Sequence, residues 1–413
     1  MLVDKQSGKV AFLGDAKRQI LCVDFSEWGE NERFASPFEA DGESFNDNDV
    51  AVYANFIRVY DFFESMGWQG PDDQGTPTLL KMNYKVEGEQ AANCTYNGFK
   101  NGWEAFSFGR ANDYGLAIDI VAHEFVHCVT RTTMTSNLYC NEPGAINEGM
   151  SDIMGNLAEM YLDGDAGAWT MGEKAVKGGT RSMSDPAAHY QPACRWDVYY
   201  VSDAPENTEF NDQGGVHVNS SLLNIVSYKL GKAGMGVEDQ AYFWMNVALA
   251  LAPSTDFAQM AELLPWVLEH SGYSQYAGSL KEAIDEARYA KPEKPSQLPA
   301  GAGEVALAYP NAEAADQGRV RVMIFDESST QQGESELWTW PVAKTHIASM
   351  ALPAGDYYFT VTAGDDPLTA PSKIYTDNGW VEFDPNSNTV AEKGTPVHVD
   401  EGKTIELATD GLG

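Results

Sequence analysis

Positive charge is scarce in this 413-residue chain: 27 Lys and Arg stand against 61 Asp and Glu, a formal net charge of −34. A basic patch could not be sustained against such a field, which argues against nucleic acid as a partner. Long apolar runs are also missing. No stretch approaches the roughly 18 residues that a membrane helix needs, so no membrane span is expected. The first residues lack the charged start, apolar run and small-residue cleavage site of a signal peptide. The protein is then either cytosolic, or Met1 opens a chain from which signal and prosegment have been trimmed. Cysteines are few and odd in number, at positions 22, 94, 128, 140 and 194, with no Cys-x-x-Cys pair. That argues against a structural zinc ribbon. One or two disulfides would fit an oxidising compartment, Cys140 with Cys194 first, while Cys128 reads as a small core filler.

What is present is globular, with 43% hydrophobic and 11% aromatic residues and length enough for two or three domains. Up to about residue 115 the chain reads as strands with one strong helix, Val50–Met66, whose apolar residues Val52, Phe56, Val59, Tyr60 and Phe63 fall at helical spacing. Thr78–Val86 and Trp103–Phe108 alternate as strands do. From Ala117 the pattern turns helical, first over Ile118–Val129 and Gly144–Leu162. It stays helical over Asn219–Gly231, Asp239–Leu251, Phe257–Ser271 and Ser279–Tyr289. Lys291–Gly303 has the Pro and Gly content of a linker. Beyond it Arg319–Phe325, Leu337–Val342, Asp356–Thr362 and Trp380–Phe383 suggest a β-sandwich. The expected domains are a β-rich lobe at 1–135 ending in the helix that starts at Ile118, a helical lobe at 136–291, a linker at 292–303 and an accessory sandwich at 304–413.

Residues 123–127 read His-Glu-Phe-Val-His. Imidazoles at i and i+4 lie on one face of a helix, one turn apart, so both can reach one cation. Glu124 lies beside that face and can reach a water on the cation without being a ligand. A hydrolytic zinc site needs three protein ligands and an open position. Glu148, in Asn147-Glu148-Gly-Met-Ser-Asp152, is the natural third. The apolar residues Ile146, Met150, Ile153 and Met154 mark that segment as buried, and a buried carboxylate needs a cation or a donor. Asp152 is then suited to accept the free N–H of a ligating His and fix its tautomer.

Four blocks carry a resemblance: Val121–His127, Gly144–Glu148 through Ser151-Asp152, Arg181-Ser-Met-Ser-Asp-Pro186, and Gly214-Gly-Val-His217-Val-Asn-Ser. Over roughly residues 35–291 the chain resembles the thermolysin family of neutral zinc metalloproteases. The fold this implies is α+β, a two-lobed zincin with a β-rich lobe carrying the active-site helix and a helical lobe, here followed by the sandwich. The roles it implies are one catalytic zinc on His123, His127 and Glu148, with Glu124 as general base and proton shuttle. Asp152 would orient His123, and Asn147 would stand beside the ligands. His217, held by Asp212, would stabilise an oxyanion together with Tyr139. Arg181 would bind a substrate carbonyl, and Asn93 with the backbone of Cys94 would pair with the peptide. Ile120 and Thr180, with Tyr114, would line the pocket after the scissile bond; Thr180 stands where the family commonly has a large aliphatic side chain. One structural calcium is expected on Asp119, Glu159 and Glu173. Two further acidic ligands of the family align near Ala168 and Thr170, and the nearby Asp163 and Asp165 are the expected substitutes. The interval between His127 and Glu148 is one residue longer than usual, which points to an insertion in Arg131–Asn137. The region before residue 35 matches poorly, as if the family's N-terminal sheet were trimmed.

The expected function is that of a secreted, monomeric endopeptidase acting on proteins and peptides before hydrophobic residues, with secretion implied by the resemblance. An aminopeptidase of the wider superfamily is a second reading, but its third Glu would fall where this chain has Ile146. A catalytically silent adhesin of the same fold is a third. Trp338, Trp340, Tyr357, Tyr358 and Trp380 in the tail form either a surface- or polymer-binding platform or simply its core.

Overall fold

A computed structural model describes residues 2–3, 10–12, 14–15, 17–24, 47–82, 94–100, 102–109, 113–134, 138–165, 169–195, 197–201, 212–290, 298, 300–310, 320–326, 338–341, 347–364, 371–384 and 388–412. Strands β1 (Leu2–Val3) and β2 (Val10–Phe12) pair antiparallel. A five-stranded sheet follows, made of β3 (Gly14–Asp15), β4 (Ile20–Asp24), β5 (Thr78–Met82), β6 (Thr95–Lys100) and β7 (Trp103–Phe108) in the order β3-β4-β5-β7-β6. Its centre, β4-β5-β7, is parallel, and β6 is an antiparallel edge. Helix α1 (Asp47–Ser65) buries Val52, Phe56, Val59, Tyr60 and Phe63, the stripe its spacing predicts.

Helices α2 (Ile118–Thr133) and α3 (Asn141–Asp163) carry the metal-binding motif and pack on each other. Phe125, between the two histidines of α2, is buried against Phe63 (4.7 Å between centroids), Phe56 (5.9 Å) and Phe106 (6.3 Å). Burying such a ring stabilises by about 1.5–3 kcal/mol and fixes the helix's rotation, so that His123 and His127 both meet Glu148 of α3. Gly155 allows α3 to approach α2 closely: a Cβ there would lie 2.5 Å from the Asp119 carbonyl oxygen.

The hairpin β8 (Thr170–Met171) with β9 (Arg181–Ser182) leads to α4 (Asp212–Asn219), α5 (Ser221–Lys232), α6 (Val237–Ala250), α7 (Phe257–His270) and α8 (Ala277–Ala287). A capping box of Asp256 and Gln259 opens α7. One hydrophobic core runs from Ile20 through both lobes to Tyr289. The helix boundaries follow the apolar periodicity to within a few residues, except at α4, where Gln213, Gly214 and Gly215 adopt left-handed φ of 51°, 88° and 80°.

The C-terminal strands form two sheets around a second core. The first has the order β13-β10-β18, from β10 (Ala302–Ala308), β13 (Ile347–Pro353) and β18 (Thr404–Leu407). The second has the order β12-β11-β14-β15-β16, from β11 (Val320–Asp326), β12 (Trp338–Pro341), β14 (Gly355–Ala363), β15 (Ser372–Thr376) and β16 (Gly379–Phe383), with β17 (Val397–Val399) also on β14. Strand β10 begins inside the segment read as a linker, of which residues 291–297 and 299 lie outside the described residues. Tyr357 and Trp380 are core residues, their polar atoms donating to the carbonyls of Pro353 and Ala408. The side chains of Trp338 and Trp340 lie outside the described residues. Tyr199, from the chain between β9 and α4, enters this second core with Tyr190 and Val198 against it. All five cysteines are free, so the Cys140–Cys194 pairing is corrected: Cys140 stands at the start of α3, and Cys194 lies beside Arg288 and Asp197. No helix among the described residues is long and apolar enough to cross a membrane.

Candidate active site and metal centre

The i,i+4 spacing on α2 brings His123 Nε2 and His127 Nε2 to 3.1 Å from each other. From α3, Glu148 lies with Oε2 3.4 Å from His123 Nε2 and Oε1 3.4 Å from His127 Nε2. The far side of each ring is held as well. His127 Nδ1 is 2.9 Å from Asn147 Oδ1 and 3.2 Å from Ser151 Oγ. His123 Nδ1 is 2.9 Å from Asp152 Oδ1, close but off the straight line of a hydrogen bond.

This donor set fits zinc. An Nδ1–H turned towards Asn147 or Asp152 leaves the Nε2 lone pair of each ring facing the other, which is repulsive unless a cation lies between them. Glu148 is fully buried, and its Oε2 has no hydrogen-bond partner. Burial by itself would lower the pKa of His123, but the carboxylates of Asp152 and Glu148 raise it to about 10, while burial takes His127 down to about 4. Two nitrogens and a carboxylate oxygen, with their potential ligand atoms within 4.8 Å of one another, match a tetrahedral site with one open position.

Other candidate residues converge on the same cleft of about 860 Å³, lined among others by Cys94, Tyr114, Ile120, Glu124, Tyr139, Asn147, Thr180, Arg181 and His217. Glu124 is 9% exposed, and burial pushes its pKa up to about 7. Its Oε2 accepts the main-chain N–H of Tyr96 at 2.8 Å. The Tyr139 hydroxyl donates to Glu148 Oε1 and stands 3.4 Å from His217 Nε2. The left-handed turn at 213–215 folds Asp212 back onto His217: Asp212 Oδ1 meets the ring Nδ1, and Oδ2 accepts the His217 main-chain N–H at 2.9 Å. Burial would lower the pKa of His217, but the carboxylates of Glu148 and Asp212 raise it; the ring is half exposed, so solvent moderates the effect. Arg181 donates to Asp152 Oδ1 at 2.9 Å and lies 3.9 Å from Glu148 Oε2. The Thr180 hydroxyl is turned to the Met171 carbonyl at 3.2 Å. Asn93 lies outside the described residues.

Several residues of the site escaped the sequence reading. Asp152 Oδ2 accepts from Asn224 Nδ2 at 2.8 Å and from Ser220 Oγ at 3.4 Å, and Thr130 Oγ1 donates to Asn147 Oδ1 at 3.2 Å. Ser151 was within reach of sequence logic, since it follows Glu148 by three residues on the same helix face. Asn224 was not, being 72 residues from Asp152 in the chain.

Asp119, Glu159 and Glu173 do come together, with potential ligand oxygens within 4.8 Å of one another. Asp119 is fully buried and accepts the main-chain N–H groups of Ile120 and Gly172; burial, reinforced by Glu159, raises its pKa to about 7. The Lys174 ammonium is also present, 2.8 Å from Glu159 Oε1 and in contact with Asp163. Asp163 pairs with Lys174 and, at 2.6 Å, with Arg58.

Fold and side-chain set together define a protein of the two-lobed zincin class. Residues 2–131 match the sequence profile of the thermolysin metallopeptidase catalytic domain, and residues 136–287 that of its alpha-helical domain. The chain belongs to the thermolysin family of metallopeptidases. The match starts at residue 2, so the resemblance extends upstream of residue 35, where the sequence reading had it begin. The chain is 31% identical over 228 residues to neutral protease B of Bacillus subtilis, covering 52% of this chain and 39% of that protein. It is 29% identical over 306 residues to bacillolysin of Bacillus caldolyticus, covering 69% and 52%. Among solved structures, the precursor of protealysin from Serratia proteamaculans aligns with a TM-score of 0.53 and 26% identity, covering 67% of this chain and 89% of that one. The chain spans about half or less of the length of these two curated relatives.

Proposed function

We propose that this protein is a zinc-dependent endopeptidase that hydrolyses internal peptide bonds on the N-terminal side of hydrophobic residues. The observation that carries the reading is the convergence of Glu124, Tyr139, His217 and Arg181 on the cleft beside the His123–His127–Glu148 cluster. Zinc held there would act as a Lewis acid and bring the pKa of a water to roughly 7. Glu124, with a raised pKa and its Oε2 anchored by a backbone amide, accepts a proton from the attacking water and passes it to the leaving amine. Tyr139 and His217 donate to the oxygen that becomes negative, and Asp212 keeps the His217 ring turned for that task. Asp152 and Asn147 hold the ligand rings. Arg181 reaches a substrate carbonyl. Strand β6, as a sheet edge, pairs with an extended peptide through the backbone of Cys94, next to Asn93. Ile120, Thr180 and Tyr114 form the apolar wall that receives the residue after the scissile bond.

The same reading includes the division into lobes at 1–135 and 136–291, a linker from 292 that ends where β10 begins at Ala302, and an accessory domain from β10 to residue 413, acting in a secreted monomer. It includes one structural calcium at Asp119, Glu159 and Glu173, where carboxylates outnumber the cations Lys174 and Arg58. A calcium ion takes six to eight oxygens, so backbone and water would supply the rest. The test is casein hydrolysis with and without a zinc chelator. Chelator-sensitive cleavage that returns with zinc supports the reading. Its absence, with zinc bound, leaves the silent adhesin.

A further inference from the structure

We propose that Arg131, Glu104 and Tyr96 form a clamp that fixes the position of Glu124, which makes them positioning residues for peptide cleavage; this rests on the endopeptidase reading above. The clamp joins three elements. Glu104, on β7, is fully buried, and both its oxygens are engaged: Oε2 accepts the Tyr96 hydroxyl at 2.6 Å, and Oε1 pairs with the Arg131 guanidinium. Arg131 Nε also donates to the Tyr96 hydroxyl, and its guanidinium carbon lies 5.9 Å from the centre of the Tyr96 ring. A carboxylate so buried needs hydrogen-bond donors or a cation of this kind beside it.

The backbone of the same tyrosine carries the consequence. Its N–H is turned out of the β6–β7 ladder and donates to Glu124 Oε2 at 2.8 Å. The ladder shifts register between Tyr96 and Gly98, and Gly98 takes the left-handed φ of 75° that the bulge requires. Arg131 follows Glu124 by seven residues, two turns along the same face of α2. The edge strand is therefore tied to α2 twice, at Arg131 by a side chain and at Glu124 by a main-chain amide. Loosening the first tie lets the second drift, and displacements of that kind at a general base are costly in rate.

The test compares the zinc-loaded full chain with Tyr96→Phe, Arg131→Met, Arg131→Lys and the Tyr96→Phe/Arg131→Met double variant on an internally quenched peptide, with zinc content and melting measured alongside. Tyr96→Phe and Arg131→Met should each lower kcat about tenfold with KM within about twofold of wild type and zinc content unchanged. The double variant should be no worse than the poorer single one, because both act through one N–H. Arg131→Lys should recover part of the loss. Unchanged kcat, a rise in KM with kcat preserved, or losses that multiply would each overturn the proposal. Should Arg131→Met fold poorly, Tyr96→Phe alone decides, since it keeps ring and backbone. A wild-type chain that cleaves nothing refutes the endopeptidase reading itself; an active wild type with indifferent variants refutes only the clamp.

Discussion

Replacing Asp152 by Asn removes one negative charge from the centre of the site and changes almost no volume. Asp152 is fully buried; its oxygens meet His123 Nδ1 and Arg181 at 2.9 Å, Asn224 at 2.8 Å and Ser220 at 3.4 Å. Burial would raise its pKa, but Arg181 and His123 outweigh this and hold it below the usual carboxylate range. An Asn keeps one acceptor for Arg181 and His123, and its amide then faces Asn224. Asn224 Oδ1 has no hydrogen-bond partner, so turning that amide over restores a donor–acceptor pair. The fold should therefore survive, and the loss should fall on the grip over His123. Removing the outer partner of a metal-binding His weakens metal binding about 10- to 100-fold, or about 1.4–2.7 kcal/mol. Competition against a chromophoric chelator should show the zinc Kd rising by that factor while the melting temperature of the metal-free protein hardly moves. A Kd within twofold of wild type would refute the role given to Asp152. Asp152→Ala should behave differently, because it strands Arg181 and Asn224 in the interior at about 3–5 kcal/mol.

Gly155→Ala drives a Cβ into the Asp119 carbonyl and should destabilise by about 1–3 kcal/mol in thermal melts; an unchanged melting temperature would show that α2 and α3 can separate freely. Lys174→Met deprives Glu159 of its cation and leaves Asp163 with Arg58 alone, so calorimetric titration should show tighter calcium binding than wild type and a lower melting point without calcium. Weaker calcium binding would mean that the lysine does not compete for the site. Tyr199→Ala should cost about 3–5 kcal/mol of the second core's stability, read as earlier melting of the C-terminal strands; coincident melting with wild type would exclude Tyr199 as an anchor. Deleting residues 300–413 should spare cleavage of soluble substrate and reduce that of insoluble substrate if the strands target the enzyme, and equal retention of both activities excludes that use.

The sequence revealed the elements whose residues repeat at short range. The stripe of α1, the His pair of α2 and the Glu148–Asp152 face of α3 are each written within one helix, so period alone displays them. Contacts that join distant segments left no such pattern. Glu104 looks like an ordinary strand residue, while Tyr96 and Arg131 fall outside the strands and helices read from periodicity, until β6, β7 and α2 are assembled. Strand β10 hid in an Ala- and Gly-rich run that reads as a linker because its small side chains give weak alternation. The left-handed turn at 213–215 placed the start of α4 where glycines suggest only a loop. The cysteines misled because spacing says nothing about which thiols meet in space.

The most direct measurement is mass spectrometry of the products of a denatured protein mixture, incubated with the zinc-loaded wild type and with zinc-loaded Glu124→Ala. Cleavages inside chains, before hydrophobic residues, are expected from the wild type alone, with one zinc retained by both proteins. Cleavage that survives in Glu124→Ala, residues removed only from chain ends, or no cleavage by the zinc-loaded wild type would contradict the endopeptidase reading.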